Sequence, residues 1–267
     1  MESNPVRPVR PVAPYMGGKR NLAGRLTRLI ETVPHDTYAE PFVGMGGVFL
    51  RRRTRPRAEA INDISVDVTT LFRILQRHYV PFLEMLKWQL SSRAEFERLV
   101  RTDPDTLTDL ERAARFLYLQ KTAFGGKVTG RNFGVDARSP SRFDITKLGS
   151  ILEEVHERLA PVTIERLPYA DFIRRYDTPA TLFYLDPPYW DCETDYGEGV
   201  FGRDDFERLA DQLAGIRGKF VLSINATDGA REVFQRFDIA QVETTYTLST
   251  ATAGKAKRVG EFIVSRL

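Results

Sequence analysis

Apolar and polar residues alternate along this chain with two different periods. Leu22, Leu26, Leu29, Ile30 and Val33 recur three and four apart, which places them on one face of a helix over 21–33. Tyr38-Ala39-Glu40-Pro41-Phe42 reads instead as a strand, and it runs into the glycine turn Val43-Gly44-Met45-Gly46-Gly47. A short helix over 48–53 follows, then a second strand over 58–61 that ends at Asn62-Asp63. From 66 to 124 the helical period takes over, as at Leu71, Ile74 and Leu75 and again at Leu110, Ala113, Ala114, Leu117 and Tyr118. Residues 125–147 are rich in Gly, Arg and Ser and predict a loop or short hairpin. A helix over 151–159 and a strand over 162–167 resume the alternation. The apolar run over 181–185 predicts a buried strand; elements over 206–216, 220–224 and 230–234 continue the strand and helix order. Two final strands, 241–248 and 260–266, are joined by a basic turn with Lys255, Lys257 and Arg258. The first twelve residues, rich in Pro, Val and Arg, predict a loose arm.

Strand, glycine turn, helix, strand and terminal acid, in that order, make half of a doubly wound α/β sheet. This Rossmann-like arrangement binds nucleotides at the carboxyl ends of its strands. The interval from Asp63 to Asp186 is far longer than one or two crossover units require, since βα connections are short. The predicted organisation is a sheet domain, 1–65 and 161–267, interrupted by a helical insertion, 66–160, that overhangs the ligand crevice.

Composition narrows the class. With 42% hydrophobic and 28% charged residues among 267, the chain reads as globular rather than disordered. No run approaches the roughly 18 apolar residues of a membrane span, and the first fourteen residues lack the apolar core of a signal peptide. A lone cysteine, Cys192, excludes an internal disulfide and fits a reducing, cytoplasmic compartment. His35, His78 and His156 lack ligand spacing, so no metal is expected. A net charge of +3 is too small for indiscriminate binding of polyanions, but the charge is clustered. Arg7, Arg10, Lys19, Arg20, Arg25 and Arg28 stand near the start, and Arg51, Arg52, Arg53, Arg55 and Arg57 follow the glycine turn. Lys121, Lys127, Arg131, Arg138 and Arg142 form a third group, interleaved with Phe124, Asn132 and Phe133. Basic groups with interleaved aromatics suit a nucleic-acid backbone. Each cluster alone also fits a solvated face.

The most pointed chemistry lies at Asp186-Pro187-Pro188-Tyr189, directly after the buried strand 181–185. An exocyclic amino group on a nucleobase is a poor nucleophile, because its lone pair is delocalised into the ring. A carboxylate and a backbone carbonyl accepting its two N–H bonds favour a more pyramidal, more reactive nitrogen. Proline fixes φ and offers a carbonyl with no donor of its own, and tyrosine offers a flat face for stacking. The motif therefore suits methylation of such a nitrogen. Taken alone it is also compatible with a Pro-rich turn after a core strand.

Four segments fall in order along the chain: Tyr15-Met16-Gly17-Gly18-Lys19, Glu40-Pro41-Phe42-Val43-Gly44-Met45-Gly46-Gly47, Asn62-Asp63 and Asp186-Pro187-Pro188-Tyr189. Together, from about residue 13 to the end, they resemble the Dam-like D12 class of adenine-N6 DNA methyltransferases. The resemblance implies S-adenosylmethionine as cofactor and duplex DNA with a flipped target base as substrate. It also implies a nucleoid-associated monomer, and allows for a cognate restriction enzyme. Asp186 and the Pro187 carbonyl would hold the amino group, with Pro188 beside them and Tyr189 stacking on the base. Phe42, Gly44 and Gly46 would let backbone approach the methionine part of the cofactor. Asp63, with Ile64 beside it, would bind the ribose diol. Tyr15 and Lys19 match positions that contact the adenosine and carboxylate ends; the family more often has tryptophan at the first. Asp171-Phe172 resembles the family's adenine-contacting pair.

The recognition region departs from the pattern. Glycine stands in Phe124-Gly125-Gly126-Lys127 where the family carries asparagine, so the resemblance does not carry over the family's tetranucleotide target. On the chemistry of their side chains, Lys127 is expected to hold a phosphate and Arg131 to read a base. Cys192 follows Asp191 and lies past the acid pocket, unlike the proline-flanked thiolate of cytosine-C5 methylation. Protein-glutamine methyltransferases use asparagine first in the four-residue motif and lack a basic helical insertion. N4-cytosine methylation fits the same pocket and remains open, as does a catalytically silent DNA-binding subunit.

Overall fold

The computed structural model describes residues 4–134, 138, 140–193, 197, 199–246 and 257–267, with main chain alone at 244–246 and 257–259. The amino-terminal arm is docked, not loose. Asn4–Pro5 (β1) later pairs antiparallel with Thr54–Arg55 (β3). The Val6 and Val9 N–H groups donate to Arg53 and Leu50 carbonyls at 2.8 Å, while Val9, Val12 and Ala13 are buried. Proline disguises this arm in the sequence, because it breaks any helix or strand period while leaving the valines free to pack.

Helix Ala23–Thr32 (α1) leads to strand Thr37–Glu40 (β2). The expected short helix after the glycine turn is a single 3₁₀ turn, Phe49–Arg51. Strand Ala58–Asn62 (β4) is followed by four helices: Val66–Arg77 (α2), Tyr79–Lys87 (α3), Arg93–Arg101 (α4) and Asp109–Thr122 (α5). α5 starts at a reciprocal cap, in which the Thr108 hydroxyl accepts from Glu111 N–H and the Glu111 carboxylate accepts from Thr108 N–H. The predicted hairpin is present in outline: Ala123 bridges Phe133, Phe124 N–H donates to Asn132 O and Gly134 N–H to Thr122 O. Residues 135–137 and 139 of that segment lie outside the described residues.

Ile145–Leu159 (α6) begins earlier than its apolar period suggests, because the Asp144 side chain caps it. Then follow Thr163–Glu165 (β5), Tyr169–Tyr176 (α7), Thr181–Leu185 (β6), Arg203–Gly215 (α8), Lys219–Asn225 (β7), Asp228–Phe234 (α9), Asp238–Tyr246 (β8) and Lys257–Arg266 (β9). The expected turn at Lys255 and the end of the strand at 247–248 lie outside the described residues, while Lys257 and Arg258 belong to β9.

The main sheet has the order β5-β4-β2-β6-β7-β9-β8. β5, β4, β2, β6 and β7 run parallel, and β9 is antiparallel to both β7 and β8. The chain moves outward from β2 to β5, then returns to place β6 on the other side of β2. That reversal opens a crevice at the carboxyl ends of β2 and β6, where doubly wound folds bind ligands. This is the mixed α/β, Rossmann-like architecture read from the sequence.

Alternate residues supply the two faces. Tyr38, Ile61, Leu182 and Tyr184 join one buried cluster, which continues without a break through Leu71, Phe72, Phe82, Phe116 and Leu152 of the helical segment. Ala39, Phe183, Leu185 and Leu222 face the other way, onto Phe172, Phe206, Leu209 and Phe234.

Candidate active site

Four strand ends bring the sequence-predicted residues together. β2 ends in Glu40, β4 leads to Asp63, β5 leads to Leu167, and β6 leads to Asp186. Asn62 ties three of these ends: its amide nitrogen donates to the Pro41 and Leu167 carbonyls at 3.0 Å, and its oxygen accepts from Leu167 N–H at 2.8 Å. Tyr15, Gly17, Gly18 and Lys19 come in from the segment before α1. With Pro41, Phe42, Gly44, Ile64 and Pro188 they line one cavity of about 1410 Å³. That exceeds the roughly 300–1,000 Å³ of ordinary ligand pockets, leaving room for two ligands. Gly44 holds φ +50, and a Cβ there would lie 3.1 Å from the Tyr15 ring; glycine is what lets these two cavity walls meet. Gly46 supports the turn from behind, against Leu50.

Asp63 anchors the glycine turn. Its Oδ2 accepts from Gly44 N–H and its Oδ1 from Ser65 N–H, both at 2.9 Å. Each oxygen keeps a second lone pair. Burial pushes its pKa up to about 6 despite these bonds. Glu40 is fully buried and accepts from the Tyr38 hydroxyl at 2.5 Å. Burial lifts its pKa well above the carboxylate range.

Asp186 sits in a network that the sequence did not reveal in full. Its Oδ1 lies 2.8 Å from Lys19 Nζ and accepts from the Ser223 hydroxyl at 3.3 Å. Among the described residues Oδ2 has no protein donor, and it stays available to a ligand. Lys19 also donates to the Tyr189 hydroxyl at 2.8 Å, and that hydroxyl donates to Glu261 Oε1 at 2.8 Å. Glu261, on β9, is fully buried and lies 3.6 Å from Lys19 Nζ. Burial raises the Asp186 pKa to about 6; Lys19 pulls it down and Glu261 pushes it up. Asn225, at the end of β7, fixes the loop beyond by bonding both the N–H and the carbonyl of Trp190.

Three expectations need correction. Asp171 and Phe172 do not reach the crevice: Asp171 pairs with Arg174 at the surface, and Phe172 is buried in the core beneath the sheet. Two residues earlier, Tyr169 lines the cavity and packs on Phe42 and Phe201, with ring centroids 5.5 and 5.7 Å away. An aromatic at the first position of α7, four residues beyond β5, was the signal that could have found it. Tyr189 does not form the cavity wall; Lys19 Nζ lies over its ring, 4.1 Å from the centroid. Arg131 turns inward, donating to Gln120 Oε1 at 3.2 Å and to Lys127 O at 3.1 Å, so it organises the hairpin rather than presenting a free fork. Lys121 lines the cavity, whereas Phe124, Lys127 and Asn132 are exposed on the hairpin. Cys192 is not part of the cavity wall.

The family of D12 class N6 adenine-specific DNA methyltransferases matches residues 15–248. The chain belongs to that family. It is an enzyme of DNA adenine methylation, and DNA is its substrate. Relatives include a Type II methyltransferase of a Paramecium bursaria Chlorella virus, 26% identical with 89% of this chain and 91% of that protein covered. A Type II methyltransferase of Lactococcus lactis is 26% identical over 96% and 95% of the two chains. The DNA adenine methylase of Vibrio cholerae is 26% identical over 91% of each. Among the described residues no cluster of side chains suits a metal ion, and no helix is long and apolar enough to cross a membrane.

A pH dependence follows for this methyltransferase. Burial pushes the pKa of both Asp63 and Asp186 up to about 6, and the role expected of each requires the carboxylate form. The kcat/KM profile, which reports the free enzyme, is expected to fall below pH ~6 more steeply than one proton allows. Glu261→Gln removes a charge that raises Asp186, so its acid limb should move to lower pH. Profiles of both proteins between pH 5 and 8 check this; an unmoved limb would remove Glu261 from the site's electrostatics.

Proposed function

We propose that this methyltransferase transfers a methyl group from S-adenosylmethionine to N6 of an adenine extruded from duplex DNA into the cavity. The observation that carries the reading is Asp186, held by Lys19 and Ser223 through one oxygen and open through the other, at the mouth of β6. The cavity residues fit the cofactor. Asp63 presents two acceptors suited to a ribose diol, and Phe42 with Tyr169 offers aromatic surface for an adenine ring. Asp63 and Asp186, both on the cavity wall, are the carboxylates that face a ligand bound between the strand ends. Bound there, the cofactor supplies an electrophilic methyl on a sulfonium.

The chain's own groups then position the nucleophile. Asp186 Oδ2 and the Pro187 carbonyl accept hydrogen bonds from the two amino N–H groups, which concentrates electron density on nitrogen. As the N–C bond forms and the S–C bond would break, one of the two protons leaves the nitrogen by way of Asp186 to solvent. Lys19 fixes Asp186 and, with Glu261, Tyr189. No covalent intermediate is needed, so rate acceleration comes from positioning and preorganised charge. Residues 66–160 serve as the recognition insertion, with the 123–133 hairpin toward DNA. The Type II names of two relatives suggest a restriction partner for this chain as well.

The test is incubation of the protein with labelled S-adenosylmethionine and duplex DNA, followed by nucleoside analysis. Label in N6-methyladenine supports the reading, and cofactor binding without transfer to DNA would overturn it. Lys127, exposed and flexible, is expected to contact a phosphate. Lys127→Ala should weaken all duplexes alike and lower the salt slope of binding by about one unit. Filter binding at several salt concentrations checks this, and an unchanged slope would leave Lys127 a solvated side chain.

A further inference from the structure

A second charged feature stands at the same cavity, and the methyl-transfer machinery does not use it. Arg10, Arg20 and Arg51 all line the cavity, although they come from the arm, the segment before α1 and the 3₁₀ turn after the glycines. The docked arm makes this possible: the Val9 N–H bond to Leu50 O sets Arg10 beside Arg51. Gly47 closes the other side, since a Cβ there would lie 3.5 Å from Lys19 N and 3.9 Å from Arg51 Nη1. Arg51 is fixed by its own bond to Gly47 O at 2.6 Å. Among the described residues, none of the three arginines has a carboxylate partner. Arg10 and Arg20 are exposed yet line the cavity, so they stand at its mouth.

Like charges gathered without a counterion are unfavourable unless an anion completes them. The charges of Arg20 and Arg10, after burial, lower the pKa of Arg51, although arginine stays protonated in water. A cofactor carboxylate is a single charge, and the family resemblance assigns it to Lys19 rather than to these arginines. Two exposed arginines at the mouth, with the half-buried Arg51 behind them, suit an anion that arrives from solvent and repeats along a strand, and guanidinium forks match phosphate oxygens.

We propose that Arg10, Arg20 and Arg51 form a phosphate site at the cavity mouth that grips the DNA backbone beside the extruded adenine. The proposal rests on the reading that a base enters this cavity. The docked arm then makes the second rim of a DNA channel, opposite the exposed Lys127 hairpin in function. A grip on the backbone next to the target offsets part of the cost of unstacking.

The experiment compares wild type, Arg10→Ala/Arg20→Ala and Arg10→Lys/Arg20→Lys. Duplex affinity is measured from 50 to 300 mM salt, and S-adenosylmethionine affinity by calorimetry. Both arginines are exposed, so folding is retained, and matched melting temperatures verify it. The alanine variant is expected to flatten the salt slope by about one to two units, since each neutralised phosphate contributes about 0.9. Its cofactor affinity should stay within about twofold, and the lysine variant should recover the slope. An alanine variant with the wild-type slope, beside a wild type that binds duplex in a salt-dependent way, overturns this proposal alone. A loss of cofactor affinity with the slope intact also overturns it, assigning the cluster to the cofactor carboxylate. A wild type without salt-dependent duplex binding overturns the underlying reading and this proposal together.

Discussion

Asp186→Ala is expected to abolish methyl transfer and leave a folded protein that still binds DNA. In the proposed reaction the carboxylate acts mostly in the transition state, when the amino nitrogen gains positive character and its protons become more acidic. Removing one such preorganised group costs about 10²–10³ in turnover elsewhere. Folding should not suffer. Burial raises the Asp186 pKa from 3.8 to about 6, so the folded chain holds the proton more tightly than the unfolded one. The carboxylate therefore costs stability, and that cost sets in as pH rises from 3.8 to 6 and persists above. Lys19 keeps Glu261 as a partner at 3.6 Å when Asp186 is gone. The variant should thus melt no lower than wild type at pH 8. Single-turnover rates and thermal melts decide; turnover within about tenfold of wild type (~1.4 kcal/mol) would refute the catalytic assignment.

The second large effect concerns the cofactor. Asp63→Ala should weaken S-adenosylmethionine binding by roughly 1.5–3 kcal/mol, the scale of a hydrogen bond to a charged group, or about 10- to 150-fold in Kd. Nonspecific DNA affinity should hardly change. Part of the loss comes through the protein, since Asp63 also holds Gly44 N–H and so the shape of the glycine turn. Asp63→Asn separates the two contributions, because an amide can still accept from Gly44 through its oxygen. Calorimetry with cofactor and filter binding with DNA check this. Equal loss of both affinities would assign Asp63 a purely structural role.

What the sequence made legible follows from period and punctuation. β2, the glycine turn, β4 and Asp63 form one local unit with little long-range ambiguity, and the apolar run ending at Asp186 reads as a buried strand. Glu261 was not legible. It lies in an ordinary β-strand, and only the pairing of β9 with β7, at Asn225↔Glu261, carries it to Lys19 and Tyr189. Tyr169 and the pair Asp171-Phe172 differ by a fraction of a helical turn, too little for sequence spacing to decide which faces the crevice. Once α7 packs Phe172 into the core, Asp171 is left at the surface. Arg131 differs from its expected role for another reason: its fork suits guanine, but a nearer acceptor, Gln120 Oε1, satisfies it inside the protein. The arm reads as loose in sequence because a few valine and alanine contacts are enough to dock it, and prolines conceal their spacing.

The central claim is that this chain methylates adenine at N6, using Asp186. The most direct measurement is single-molecule sequencing, with base-modification detection, of genomic DNA from otherwise unmodified cells expressing either wild type or Asp186→Ala. The account predicts N6-methyladenine at one recurrent short sequence with wild type and none with the variant. Methylation on cytosine N4, or adenine methylation that persists in the variant, would contradict it.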